Sequence, residues 1–116
     1  MNKALALALL AGAFTLSSQA SAADVAAGRA AAEKYNCASC HGKDYNTPID
    51  PSYPKLAGQH ADYLAHALVS YQRGANGANG RSNAIMGAQA KPLSRQDIHN
   101  IAAYLASLPG PLHTSK

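Results

Sequence analysis

The sequence predicts an all-α fold. Apolar residues recur at spacings of three and four in three separate stretches, no stretch alternates convincingly enough to be a strand, and segments rich in Gly, Pro and Asn separate the stretches. These stretches are read as three helices joined by loops.

The first residues read as an export leader. Met1-Asn2-Lys3 is a short positive start, Ala4 to Leu16 is apolar, and Ala20-Ser21-Ala22 is an A-x-A cleavage pattern. The apolar stretch falls short of the roughly 20 residues that cross a bilayer. A signal peptide over residues 1–22 and one domain over residues 23–116 are expected. No second hydrophobic stretch occurs, so the mature protein is expected not to span a membrane.

Asp24 suits the N-cap of a first helix that runs to about Tyr35. Val25, Gly28, Ala32 and Tyr35 fall on one face, and a glycine there points to another element approaching closely. Residues 42–58, with Pro48, Pro51 and Pro54, read as a loop. A second helix fits from His60 or Ala61 to about Arg73, with Asp62 in its first turn, Leu64, Ala67, Leu68 and Tyr71 as its stripe, and Gly74 as its stop. Residues 74–83 read as a flexible loop. The last helix is the clearest: Ser94-x-x-Asp97 resembles a capping box, Ile98, Ile101, Leu105 and Leu108 repeat at three, four and three, and Pro109-Gly110 end it. Residues 111–116 read as a frayed tail.

The chemistry is concentrated in Cys37-Ala38-Ser39-Cys40-His41, a C-x-x-C-H run of the kind that attaches c-type haem. Two thiols three positions apart can add across the two vinyl groups of one porphyrin, and the histidine that follows is held beneath the iron. These are the only two cysteines in the chain. A structural zinc site would need four ligands, and His60, His66, His99 and His113 are scattered. A thioredoxin-like dithiol needs a βαβ context that is absent, and a Cys37–Cys40 disulfide would close too small a loop to stabilise much.

His41 leaves one axial position. Met1 is lost with the leader, so Met86 is the one methionine left to supply a thioether, from an irregular setting between the flexible loop and the last helix. A lone methionine is usually core filler, and His60, His66 or His99 are alternative ligands. An open sixth site would suit gas binding or peroxide chemistry.

Composition agrees with a porphyrin-filled centre. The chain has no Trp, and its single Phe, Phe14, lies in the leader. About 94 residues remain after cleavage, a length at which a covalent staple adds much to a small core. The net charge of +4 falls by one without Lys3, and two ionised propionates bring it to about +1. That balance argues against a nucleic-acid partner, which favours a pronounced basic patch.

Taken together, Cys37-x-x-Cys40-His41, Tyr53-Pro54-Lys55-Leu56-Ala57-Gly58-Gln59, Asn83-Ala84-Ile85-Met86 and Leu93-Ser94-Arg95-Gln96-Asp97-Ile98 leading into Ile101-Ala102-Ala103-Tyr104-Leu105 resemble class I c-type cytochromes. The chain is most similar to the short single-haem periplasmic bacterial cytochromes c, over Asp24 to Leu108. Similar segments form each half of two-haem relatives, but one C-x-x-C-H is present here. Lys55 stands where an uncharged residue is common.

The resemblance implies a small cytochrome c fold of three to five helices packed around one haem c, bound through thioethers to Cys37 and Cys40, with His41 proximal and Met86 distal. It implies that the Pro54 carbonyl accepts a hydrogen bond from the proximal imidazole, and that Gly28 and Tyr104 mark a close crossing of the first and last helices. It also implies a periplasmic electron-transfer protein without catalytic residues, shuttling single electrons between a respiratory donor and a terminal oxidase or reductase. Redox proteins such as a membrane oxidase, reductase or dehydrogenase are the expected partners. Two alternatives stay open: a fixed haem subunit of a dehydrogenase complex, and a haem sensor or peroxidase-like protein with a labile sixth ligand.

Overall fold

The computed structural model describes residues 22–112 together with Gly12. The leader expected over residues 1–22 therefore lies almost wholly outside the described residues, as do the last four residues of the expected tail. Five helices follow one another: α1 Val25–Lys34, α2 Ala38–His41, α3 Ala61–Arg73, α4 Ala84–Ala90 and α5 Arg95–Ser107. Every regular element among the described residues is helical, and no helix among them is long and apolar enough to cross a membrane.

Two of the long helices, α1 and α5, start where a side chain satisfies an unpaired first-turn amide. Asp24 caps α1 by accepting from the Ala27 amide. Ser94 and Asp97 form a reciprocal capping box on α5, with both bonds at 3.0 Å. Such caps contribute about 1 kcal/mol each by pairing amides that have no partner within the helix. Gly74 ends α3 at φ +64°, a left-handed conformation that side chains disfavour.

The centre of the fold is α5, which packs against both α1 and α3. It buries Ile98, Ile101, Ala102 and Leu105 toward Ala31 and Ala32 of α1 and Leu64 and Ala65 of α3. Fully burying an Ile or Leu side chain contributes roughly 1.5–3 kcal/mol, so this aliphatic cluster dominates the packing of the long helices. Gly28 is a point of close approach between α1 and α5. A Cβ at that position would lie 2.8 Å from Tyr104 Cβ and closer still to the Asn100 carbonyl oxygen.

The two short helices are additions to the sequence reading. One is the single turn that carries the cysteines and His41. The other, α4, occupies the segment around Met86 that was expected to be irregular; Asn83 caps it, its side chain accepting from the Met86 amide at 2.9 Å. Seven residues show too little periodicity to reveal a helix, and a helix this short depends on its caps and on α3 beneath it.

Candidate haem site

The site begins where α1 ends. Asn36 takes φ +54°, a left-handed conformation that Asn tolerates better than most side chains, and the Cys37 amide donates back to the Ala32 carbonyl at 3.1 Å. The chain thus turns sharply into α2. Cys37 is already helical in its dihedrals, and the His41 amide donates to the Cys37 carbonyl at 3.1 Å. Residues three apart on one helical turn share a face, so the spacing of Cys37 and Cys40 presents both thiols to one side. Both are free and half-buried. Cys37 packs against the aliphatic core, and that burial pushes its thiol pKa up.

His41 is 6% exposed, one of two buried polar residues among those described. Its Nδ1 lies 2.9 Å from the Pro54 carbonyl oxygen. A carbonyl oxygen only accepts, so this bond places the proton on Nδ1 and leaves the Nε2 lone pair free to coordinate. The Tyr53 ring lies against the imidazole, with centroids 6.4 Å apart.

A folded-back loop brings Pro54 to this position. Gly42 turns the chain out of α2 at φ +87°, and a Cβ there would strike the Thr47 carbonyl. The Ile49 amide donates to the Cys40 carbonyl at 3.1 Å. Asp44 ties the first bend by accepting from the Asn46 amide and from the Thr47 amide and hydroxyl, which lowers its pKa. Beyond Pro54, the Leu56 and Ala57 amides donate to the Tyr45 carbonyl at 2.8 and 3.0 Å. The Tyr45 ring is buried and meets Tyr104 edge to face, 5.9 Å between centroids. The loop that holds the imidazole is therefore anchored on α5.

The structure joins Cys37, Cys40, His41 and Pro54 into one connected unit. Met86 is held separately, half-buried in the first turn of α4. His60, His66 and His99 are all exposed, so none is placed as an interior ligand, and His113 lies outside the described residues. No cluster of three or more His, Cys, Asp or Glu able to hold a metal ion occurs among the described residues. The donor set fits a porphyrin held by thioethers: two unpaired thiols on one turn, then a buried imidazole with a committed Nδ1.

Two polar side-chain partnerships beside α4 leave no mark in the sequence. Gln72, in the last turn of α3, donates to the Ala90 carbonyl at 2.9 Å and to the Leu93 carbonyl at 2.8 Å. Arg81 lies over the rings of Tyr63 and Tyr71, 5.6 Å from each centroid, and so is less free than a loop arginine suggests. Neither partnership has a local sequence signal, because each joins residues far apart in the chain.

Comparison with known proteins matches this arrangement. The cytochrome c family model covers residues 25–109. Cytochrome c4 of Thiocapsa roseopersicina is 37% identical over 93 residues, which are 78% of this chain and 45% of that protein. Cytochrome c-554(547) of Halothiobacillus neapolitanus is 37% identical over 93 residues, covering 75% of this chain and 99% of that one. The crystal structure of reduced recombinant cytochrome c4 from Pseudomonas stutzeri superposes with a TM-score of 0.67 at 38% identity, over 77% of this chain and 47% of that one. This chain thus spans about half the length of the cytochromes c4 and nearly all of the c-554(547) relative. The chain belongs to the cytochrome c family and carries one covalently bound haem c.

Proposed function

We propose that this protein is a periplasmic one-electron carrier whose iron is held by His41 and Met86, shuttling between a respiratory donor and a terminal oxidase or reductase. The observation that carries this reading is the buried His41, its Nδ1 bonded to the Pro54 carbonyl at 2.9 Å, directly after two free thiols on one helical turn.

When bound, haem c supplies a ferric/ferrous couple that takes up and releases one electron. The chain's own residues do the rest. Cys37 and Cys40 tether the group so that it cannot dissociate. His41 offers Nε2 from a ring whose orientation and tautomer the Pro54 carbonyl holds, which raises the basicity of the ligand. Met86 offers a thioether, a neutral ligand that favours ferrous iron and raises the potential. Two protein ligands leave no position for a substrate, which suits outer-sphere transfer better than bond-making chemistry. The leader pattern at residues 1–22 supports export, and covalent haem attachment in bacteria takes place outside the cytoplasmic membrane.

The test combines a redox titration with the Met86→Ala variant. The wild type should titrate as a single one-electron couple and show the methionine-to-iron charge-transfer band at the red edge of the ferric spectrum. Met86→Ala should lose that band and titrate at a lower potential. A wild type that lacks the band and already binds imidazole or peroxide would instead support the sensor or peroxidase reading.

A further inference from the structure

We infer that Gln72 is a positioning residue for Met86, its side-chain amide clamping the short helix that carries the thioether; this rests on reading Met86 as the distal ligand.

Little else holds α4. It has seven residues, of which only Ala90 is buried. A helix of two turns is unstable alone, and one buried alanine adds little packing. Its C-terminal carbonyls also have no partner within the helix, and the bond that the Ala90 carbonyl accepts from the Leu93 amide at 3.1 Å is local to the following turn and leaves that end untied to the rest of the fold. Gln72 meets this need with both protons of one amide nitrogen, donating to Ala90 O at 2.9 Å and Leu93 O at 2.8 Å. The first bond seizes the end of α4 and the second seizes the turn that leads into α5. Both come from α3, the helix on which α4 packs.

Met86 lies one helical turn before Ala90, about 6 Å along the axis. Its own amide is fixed from the other side by the Asn83 carboxamide at 2.9 Å. The helix is therefore pinned at both ends, and its C-terminal pin belongs to a different element. A thioether is a weak neutral ligand, so its hold on iron depends on being presented in one place instead of wandering. Freeing the C-terminal end of α4 should let competing ligands enter.

The experiment uses the haem-loaded protein and reads the ferric charge-transfer band, the reduction potential and the affinity for added imidazole. Gln72→Met keeps the length and loses the donor; it should bind imidazole about tenfold more tightly, weaken the band and lower the potential. Gln72→Lys restores a donor suited to helix-end carbonyls and should return all three readings toward wild type. Asp24→Ala removes the α1 cap, lowers overall stability and does not touch α4, so it should leave the three readings unchanged.

If Gln72→Met binds imidazole like a wild type that shows the band, the inference is wrong while Met86 remains the ligand. An Asp24→Ala variant that mimics Gln72→Met would also overturn it, since general loosening would suffice. If the wild type lacks the band and Met86→Ala changes nothing, the ligand reading fails and takes this inference with it. Should Gln72→Met not accumulate as holoprotein, Gln72→Glu against Gln72→Lys carries the same test: donor lost against donor restored. Equal imidazole affinities in that pair would overturn the inference.

Discussion

The Nδ1 of His41 donates to the carbonyl oxygen of Pro54 at 2.9 Å across a thirteen-residue separation, and that bond ties the attachment turn to the far side of its following loop. The acceptor is a backbone atom, so the side chain at position 54 acts only by fixing where that atom lies. The proline ring holds φ near −65° and removes one degree of freedom from the loop. Pro54→Gly should loosen the bond, make the imidazole a poorer donor and favour ferrous iron. The reduction potential should rise by about 30 mV, the equivalent of somewhat under one hydrogen bond. An unchanged potential would show that Tyr53 and the loop hold the carbonyl without the ring.

The two thiols give a chemical prediction. Acid–organic extraction of the wild type should leave the pigment on the polypeptide, with the mass raised by one haem. Cys37→Ala or Cys40→Ala should leave a single thioether or an unstable apoprotein. Pigment that extracts completely from the wild type would refute covalent attachment at this turn.

Gly28→Ala tests the crossing of α1 and α5. The added carbon would meet the Asn100 carbonyl, a backbone atom that cannot rotate away, as well as Tyr104 Cβ at 2.8 Å. Overpacking of this kind costs about 3 kcal/mol. Denaturant unfolding of the holoprotein should show that loss, and a cost below about 1 kcal/mol would mean that the helices separate easily. Since α1 feeds directly into Cys37, the variant should also lower the yield of attached haem.

Tyr45 gives a prediction in alkaline solution. Its phenol is pushed from 10.0 up to about 12, first by burial and then by Cys37, Tyr104 and Glu33. In the unfolded chain it ionises near pH 10; in the folded chain it keeps its proton. The stabilisation is therefore complete below pH 10 and is lost as pH rises through about 12. Unfolding free energy should fall across that interval, and Tyr45→Phe should flatten the fall. A slope that is the same in the variant would place the alkaline loss elsewhere.

Local signals made much of this molecule legible from the chain alone. Asp24, Ser94 and Asp97 cap the helices they were expected to cap, because a cap acts within three residues of itself. The stripe Ile98, Ile101 and Leu105 is buried as its spacing required. Cys37, Cys40 and His41 announce their chemistry because adjacent residues must bond to one group, and Gly28 announced a close approach without saying to what. What needed the tertiary structure was every relationship across a large separation. The bond from His41 to Pro54 was expected only through resemblance, since a backbone carbonyl leaves no mark on residue type. The helical setting of Met86 was missed because two turns carry too little periodicity to distinguish a helix from a loop, and because its C-terminal end is closed by Gln72 from α3. The anchoring of the Pro54 loop on Tyr104 through Tyr45 was invisible for the same reason: those contacts exist only once α5 has packed, and no residue in the loop encodes them alone.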